Sequence, residues 1–70
     1  MSEIFGKKLK SLREEQGLFQ RDIAEELKVS RETVSYWEKG TKEPSIERII
    51  RLCDILKTTP NYLFDYGDEN

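Results

Sequence analysis

The sequence predicts an all-α fold, a compact domain of five short helices, and three observations carry that expectation. Apolar residues recur at spacings of three and four through most of the chain. Capping residues and glycine stops divide that pattern into five segments. Nowhere does the alternation of apolar and polar residues that marks a half-buried strand occur.

Taken in order, Phe5, Leu9 and Leu12 form one stripe of a first helix, with Ser2 as its N-cap and Gly17 as its stop. Gln20 to Leu27 repeats the pattern with Ile23, Ala24 and Leu27, and the small Ala24 lets another helix approach closely. Only Lys28 and Val29 separate it from Ser30, the N-cap of a third helix in which Val34 and Trp37 share a stripe before Gly40 ends it. After a polar loop from Thr41 to Pro44, Ser45 caps a fourth helix with a broad apolar face of Ile46, Ile49, Ile50, Cys53 and Leu56. Thr59 followed by Pro60 opens a short fifth helix whose apolar members are Tyr62 and Leu63. Residues 1–64 form the domain, and 65–70 read as an acidic disordered tail or a truncated linker.

A chain of 70 residues builds one small core and leaves little wall for a deep, water-excluding pocket, which argues against most enzymes. There is no histidine and a single cysteine, Cys53, so a disulfide framework and soft-ligand metal sites are excluded. No nucleophile–base pair or phosphate-binding glycine loop is present, and no cofactor is expected. No apolar run reaches the roughly 18 residues of a membrane span, and residues 1–10 lack the apolar stretch of a signal peptide, so the expectation is a cytoplasmic protein. The formal charge is -2, but Asp65, Asp68 and Glu69 crowd the end; without them 12 basic side chains face 11 acidic ones. A positive face must therefore arise by sorting of charges over the surface.

Ile23, Ala24, Leu27, Val29, Val34 and Trp37 have the spacing of a helix-turn-helix, whose two helices must bury these positions. The outer face of the second helix is then left free for a DNA major groove. Through GLFQRDIAEELKVSRETVSYWEKG, KEPS and the closing TTPNYLF, the sequence resembles the phage-repressor and Cro (Xre-like) family of helix-turn-helix DNA-binding domains, over about nine tenths of the chain. The resemblance implies a lambda-repressor-like five-helix domain, sequence-specific binding of double-stranded DNA, regulation of transcription as a repressor, a bacterial or phage-encoded source and a homodimer on a roughly palindromic operator. Three departures stand out. Phe19 occupies the N-cap of the second helix, where the family places Ser, Thr or Asn, at a cost of about 1 kcal/mol. Lys28 replaces the turn glycine, at a similar cost of about 1 kcal/mol if its φ is positive. Glu43 puts an acid in the loop where the family often has bases.

With about 100° per residue and Arg31 as zero, Val34 falls near 300° and Trp37 near 240°, so the buried stripe centres at about 270°. Glu32 at about 100°, Lys39 at about 80°, Ser35 at about 40° and Tyr36 at about 140° point outward, with Arg31 on the exposed N-terminal edge. Arg31 can fork onto guanine O6 and N7, and Glu32 can accept from cytosine N4. Ser35 and Tyr36 complete the candidate base contacts, Tyr36 through a thymine methyl or by donating its hydroxyl to phosphate. Lys39 at the helix end and Gln20 at the start of the second helix are assigned to phosphate. Thr41 and Lys42 join them by the family resemblance. The plain alternative for this face is a solvated, charge-laced helix surface, and for Gln20 a capping or surface role. Lys7, Lys8 and Lys10 read as a solvated face, Trp37 as core, and Cys53 as an inert small hydrophobe.

Arg13 and Glu38 match a pair that in this family bridges the first helix and the end of the third, a structural role. The competing function is a protein-interaction module, an antitoxin or antirepressor component on the same scaffold, which Phe64 and Tyr66, expected to be exposed, would serve; the same two residues could equally form a homodimer contact. A protein partner or an additional effector domain stays open.

Overall fold

The computed structural model describes residues 2–65. Five helices follow one another: α1 Ser2–Glu15, α2 Gln20–Leu27, α3 Arg31–Lys39, α4 Ile46–Leu56 and α5 Pro60–Leu63. Ser2, expected as a cap, is already the first helical residue. Ser30 and Ser45 cap α3 and α4, their hydroxyls accepting from the amides of Thr33 at 3.1 Å and Arg48 at 3.3 Å. Thr59 does the same for Tyr62 in α5, with Pro60 at the first helical position, where its missing amide is no loss. Phe19 has no acceptor to offer α2. Only the return half of a capping box forms there, the Phe19 amide donating to Asp22 Oδ2 at 2.7 Å.

The first four helices all end through a left-handed residue. Gly17 and Gly40 take φ of +72° and +81°, while Lys28 and Lys57 take 59° and 57° with side chains attached. At each end the next amide reaches back five residues, as in Leu18 to the Arg13 carbonyl and Val29 to that of Ala24, so the last carbonyls are satisfied. The glycine stops are visible in the sequence. The lysine at the end of α4 carries no such signal, since lysine has no preference of its own for a left-handed backbone.

Phe5 and Leu9 of α1, Ile23, Ala24 and Leu27 of α2, Val34 and Trp37 of α3, Leu52, Cys53 and Leu56 of α4 and Leu63 of α5 form one core. Burial, with Asp54 nearby, raises the pKa of the Cys53 thiol, in keeping with a packing role. Gly6 is buried where α1 crosses the C-terminal turn of α3. A Cβ there would lie 2.7 Å from the Trp37 carbonyl oxygen, and closer to that of Glu38, so this crossing requires glycine.

Several sequence expectations change. The buried side of α4 is Leu52, Cys53 and Leu56 with Ile49 and Ile55 against it, whereas Ile46 and Ile50 are 76% and 54% exposed. Tyr62 is partly exposed, with Lys8 Nζ 4.1 Å from its ring centre. Phe64, expected to be exposed, stacks on Phe5 with ring centres 4.9 Å apart. Lys8 is half-buried and pairs with Asp65 at 3.2 Å, so it does not belong to a freely solvated face. Asp65, expected to begin a disordered tail, is instead held on the domain, its amide donating to the Tyr62 carbonyl at 3.1 Å, while Tyr66 and the other residues of 66–70 lie outside the described residues.

Candidate nucleic-acid interface

Three residues, Lys28–Ser30, join α2 to α3, and the left-handed Lys28 turns the chain so that both helices bury one side in the same core. Val34 and Trp37 hold α3 down, Trp37 being only 2% exposed and so unavailable for stacking on a base. This leaves Arg31, Glu32, Tyr36 and Lys39 exposed along the outer side of α3, with Ser35 half-buried at its edge. That is the face the 100° periodicity assigns to them, and it follows directly from which two residues anchor the helix.

Two shallow clefts flank this helix, and Gln20 borders both. One is lined by Arg13, Phe19, Gln20, Arg21 and Arg31. The other is lined by Lys10, Arg13, Gln20, Ser35, Glu38 and Lys39. Asp22, Glu25 and Glu26 line a separate depression with Leu18, Ile55 and Lys57, while Glu32 stays on the outer side of α3. A nearly neutral body thus carries a cationic region beside α3 through sorting rather than net charge.

Glu38 is the only acid lining the two α3 clefts, and it is neutralised. Its side chain is 4% exposed and takes two hydrogen bonds from Arg13, from Nε at 2.6 Å and Nη2 at 3.2 Å. Arg13 Nη1 donates to the Leu18 carbonyl at 2.9 Å, tying the end of α1 to the same group. The hydrogen bond to Glu38, working against burial, raises the Arg13 pKa above its ordinary value. The pair therefore holds α1 on α3 with both charges satisfied, and removing one partner would strand the other in a poorly solvated place at a cost of about 3 kcal/mol or more.

Gln20 Nε2 donates to Glu38 Oε1 at 3.0 Å, so this side chain is engaged within the protein rather than free in solvent. Thr41 is exposed, and its hydroxyl donates to the Tyr36 carbonyl at 3.3 Å, closing the end of α3. A phosphate contact from that hydroxyl would have to exchange one acceptor for another. Lys42 Nζ stands 5.2 Å from the ring centre of Tyr36, bringing a residue assigned to phosphate beside one assigned to a base. Arg21 lies over the exposed ring of Phe19, 4.9 Å from its centre.

Sequence reasoning missed Lys10 and Arg21 as members of this surface. Lys10 is three residues before Arg13, hence on the same side of α1, and that spacing was available as a signal. Arg21 had none, since its placement depends on where α2 meets α3. Among the described residues no group of three or more potential metal ligands exists, and no helix is long and apolar enough to cross a membrane.

The HTH-type transcriptional regulator DicA of Escherichia coli (strain K12) is 37% identical over 51 residues, covering 73% of this chain and 37% of DicA. The HTH-type transcriptional regulator ImmR of Bacillus subtilis (strain 168) is 28% identical over 58 residues, 83% of this chain and 46% of ImmR. The chain thus spans less than half the length of either regulator. Among solved structures, the restriction-modification controller protein C.AhdI from Aeromonas hydrophila superposes with a TM-score of 0.80 at 32% identity, over 90% of this chain and 96% of that one. A helix-turn-helix family model matches residues 9–63, from the core residue Leu9 of α1 to the core residue Leu63 of α5. The two-helix unit anchored by Val34 and Trp37 is therefore an inherited one, and the chain belongs to the helix-turn-helix family.

Proposed function

We propose that this chain binds double-stranded DNA sequence-specifically and regulates transcription as a repressor, with α3 in the major groove. The observation that carries this reading is the division of α3 itself. Val34 and Trp37 are buried while Arg31, Glu32 and Tyr36 stand exposed beside clefts that gather Lys10, Arg21 and Lys39. Arg31, Glu32, Ser35 and Tyr36 read base edges; Gln20, Lys39, Thr41 and Lys42 hold phosphates. Residues 1–64 act as the DNA-binding unit, and nothing in the reading calls for catalysis.

One recognition helix reads only a few base pairs, so two copies are required, on half-sites about 34 Å apart. The exposed Ile46 and Ile50 of α4 offer an apolar surface to a second copy. The same two side chains favour the alternative of a protein-interaction module, which would cover them with a different partner.

Selection of bound sites from random duplexes separates these readings. A recovered palindrome supports the regulator, and absence of any enrichment overturns it in favour of the interaction module. On the recovered site, Arg31→Ala should lose about 1 to 3 kcal/mol of binding and flatten preference at one base pair. Lys42→Ala should weaken all duplexes alike and make the salt slope about one unit shallower per subunit. Intact affinity and base preference in Arg31→Ala would remove the N-terminal edge of α3 from the interface.

A further inference from the structure

We propose that Glu38 is a positioning residue for DNA binding, which fixes the direction in which Gln20 presents its amide to a phosphate. This rests on the DNA-binding reading above and adds to it a role for an acid that touches no DNA. Both oxygens of Glu38 accept from Arg13 in a paired salt bridge, so the group of Gln20 that faces Oε1 at 3.0 Å is the amide nitrogen. Glu38 Oε1 is itself held by Arg13 Nη2 at 3.2 Å, and Oε2 by Arg13 Nε at 2.6 Å, so the acceptor cannot swing away. Gln20 Nε2 carries two hydrogens. Glu38 takes one, and the other is what the Gln20 side chain has left to donate to a ligand in the clefts that it borders.

An unheld glutamine would divide its time among rotamers and expose its carbonyl oxygen, an acceptor that repels a phosphate, as often as its amide. Glu38 removes that loss before DNA arrives. Arg13 has a second task in the same arrangement: it cancels the charge of the carboxylate that would otherwise oppose the phosphate. Glu38 thus connects α1, α2 and α3 at one point, and the fold's interhelical ion pair also prepares a surface contact.

The test has two independent readouts. In the unsubstituted protein, labelled with 15N, the two side-chain amide protons of Gln20, identified by their loss in Gln20→Ala, should differ strongly before DNA is added. The proton bonded to Glu38 should be shifted and exchange slowly; the other should move when a mixed-sequence duplex is added at low salt. The second readout is a double-mutant cycle on binding to that duplex. Gln20→Ala should weaken binding about tenfold alone, but no more than about twofold in a Glu38→Gln background, where Arg13 and Gln20 compete for the one remaining side-chain oxygen. Loss of stability alone would not produce that coupling. Duplex binding with Gln20 amide protons that keep the shifts and fast exchange of a solvent-exposed glutamine, or with the same tenfold loss in both backgrounds, overturns the positioning role alone. Failure to bind any duplex overturns it together with the DNA-binding reading. If Glu38→Gln does not fold, the amide protons of the unsubstituted protein still decide.

Discussion

Replacing Gly6 by alanine probes the close approach of α1 to α3. The added methyl would meet the carbonyl oxygens of Trp37 and Glu38, the first at 2.7 Å. Both belong to the backbone of the last full turn of α3, so neither can rotate out of the way as the end of a flexible side chain would. Helices α1 and α3 must separate instead, and the Arg13–Glu38 bridge between them must lengthen. Alanine returns about 1 kcal/mol through its higher helix propensity. Forcing a methyl into a packed interior costs about 1 to 3 kcal/mol, and a rigid backbone on the receiving side places this case at the upper end. The net loss is about 2 kcal/mol, which in a domain this small lowers the melting temperature by roughly 8 to 16 °C. Far-ultraviolet circular dichroism during a thermal melt reads it directly. Gly17→Ala is the control, because its Cβ would meet nothing within 4 Å and only its φ of +72° opposes the change. That variant should lose about 1 kcal/mol through backbone strain. A Gly6→Ala protein that melts at or above the parent temperature would refute the argument that this crossing is limited by backbone contact.

Phe19→Ser should raise stability by about 0.5 to 1 kcal/mol, since a hydroxyl would satisfy an orphan amide of α2 and the ring it replaces is 60% exposed. A lower melting midpoint would mean that the ring under Arg21 contributes more than the missing cap costs. Lys28→Gly should move the urea midpoint upward by the equivalent of up to about 1 kcal/mol, because φ of 59° strains a residue with a Cβ. An unchanged or lower midpoint would show that glycine's extra freedom in the unfolded chain cancels the relief.

Local chemistry made much of this protein legible in advance. Ser30, Ser45 and Thr59 cap the helices they precede, and Gly17 and Gly40 end the helices they follow, because capping and left-handed turns depend on a residue and its near neighbours. The outward face of α3 followed from periodicity once Val34 and Trp37 were taken as anchors. Tertiary structure alone decided what depends on residues distant in the chain meeting one another. Ile46 and Ile50 carry the hydropathy of a core and lie outside it, because α4 packs on α2 and α5 with Leu52, Cys53 and Leu56 on its inner side. Phe64 turned inward onto Phe5, a contact between the two ends of the domain that no local pattern contains. The need for glycine at position 6 is set by α3 rather than by α1, whose own helix would favour alanine. Gln20 shows the division at one residue. Its place at the start of α2 can be read from the chain, but its hydrogen bond to Glu38, 18 residues away, exists only because α2 packs against α3.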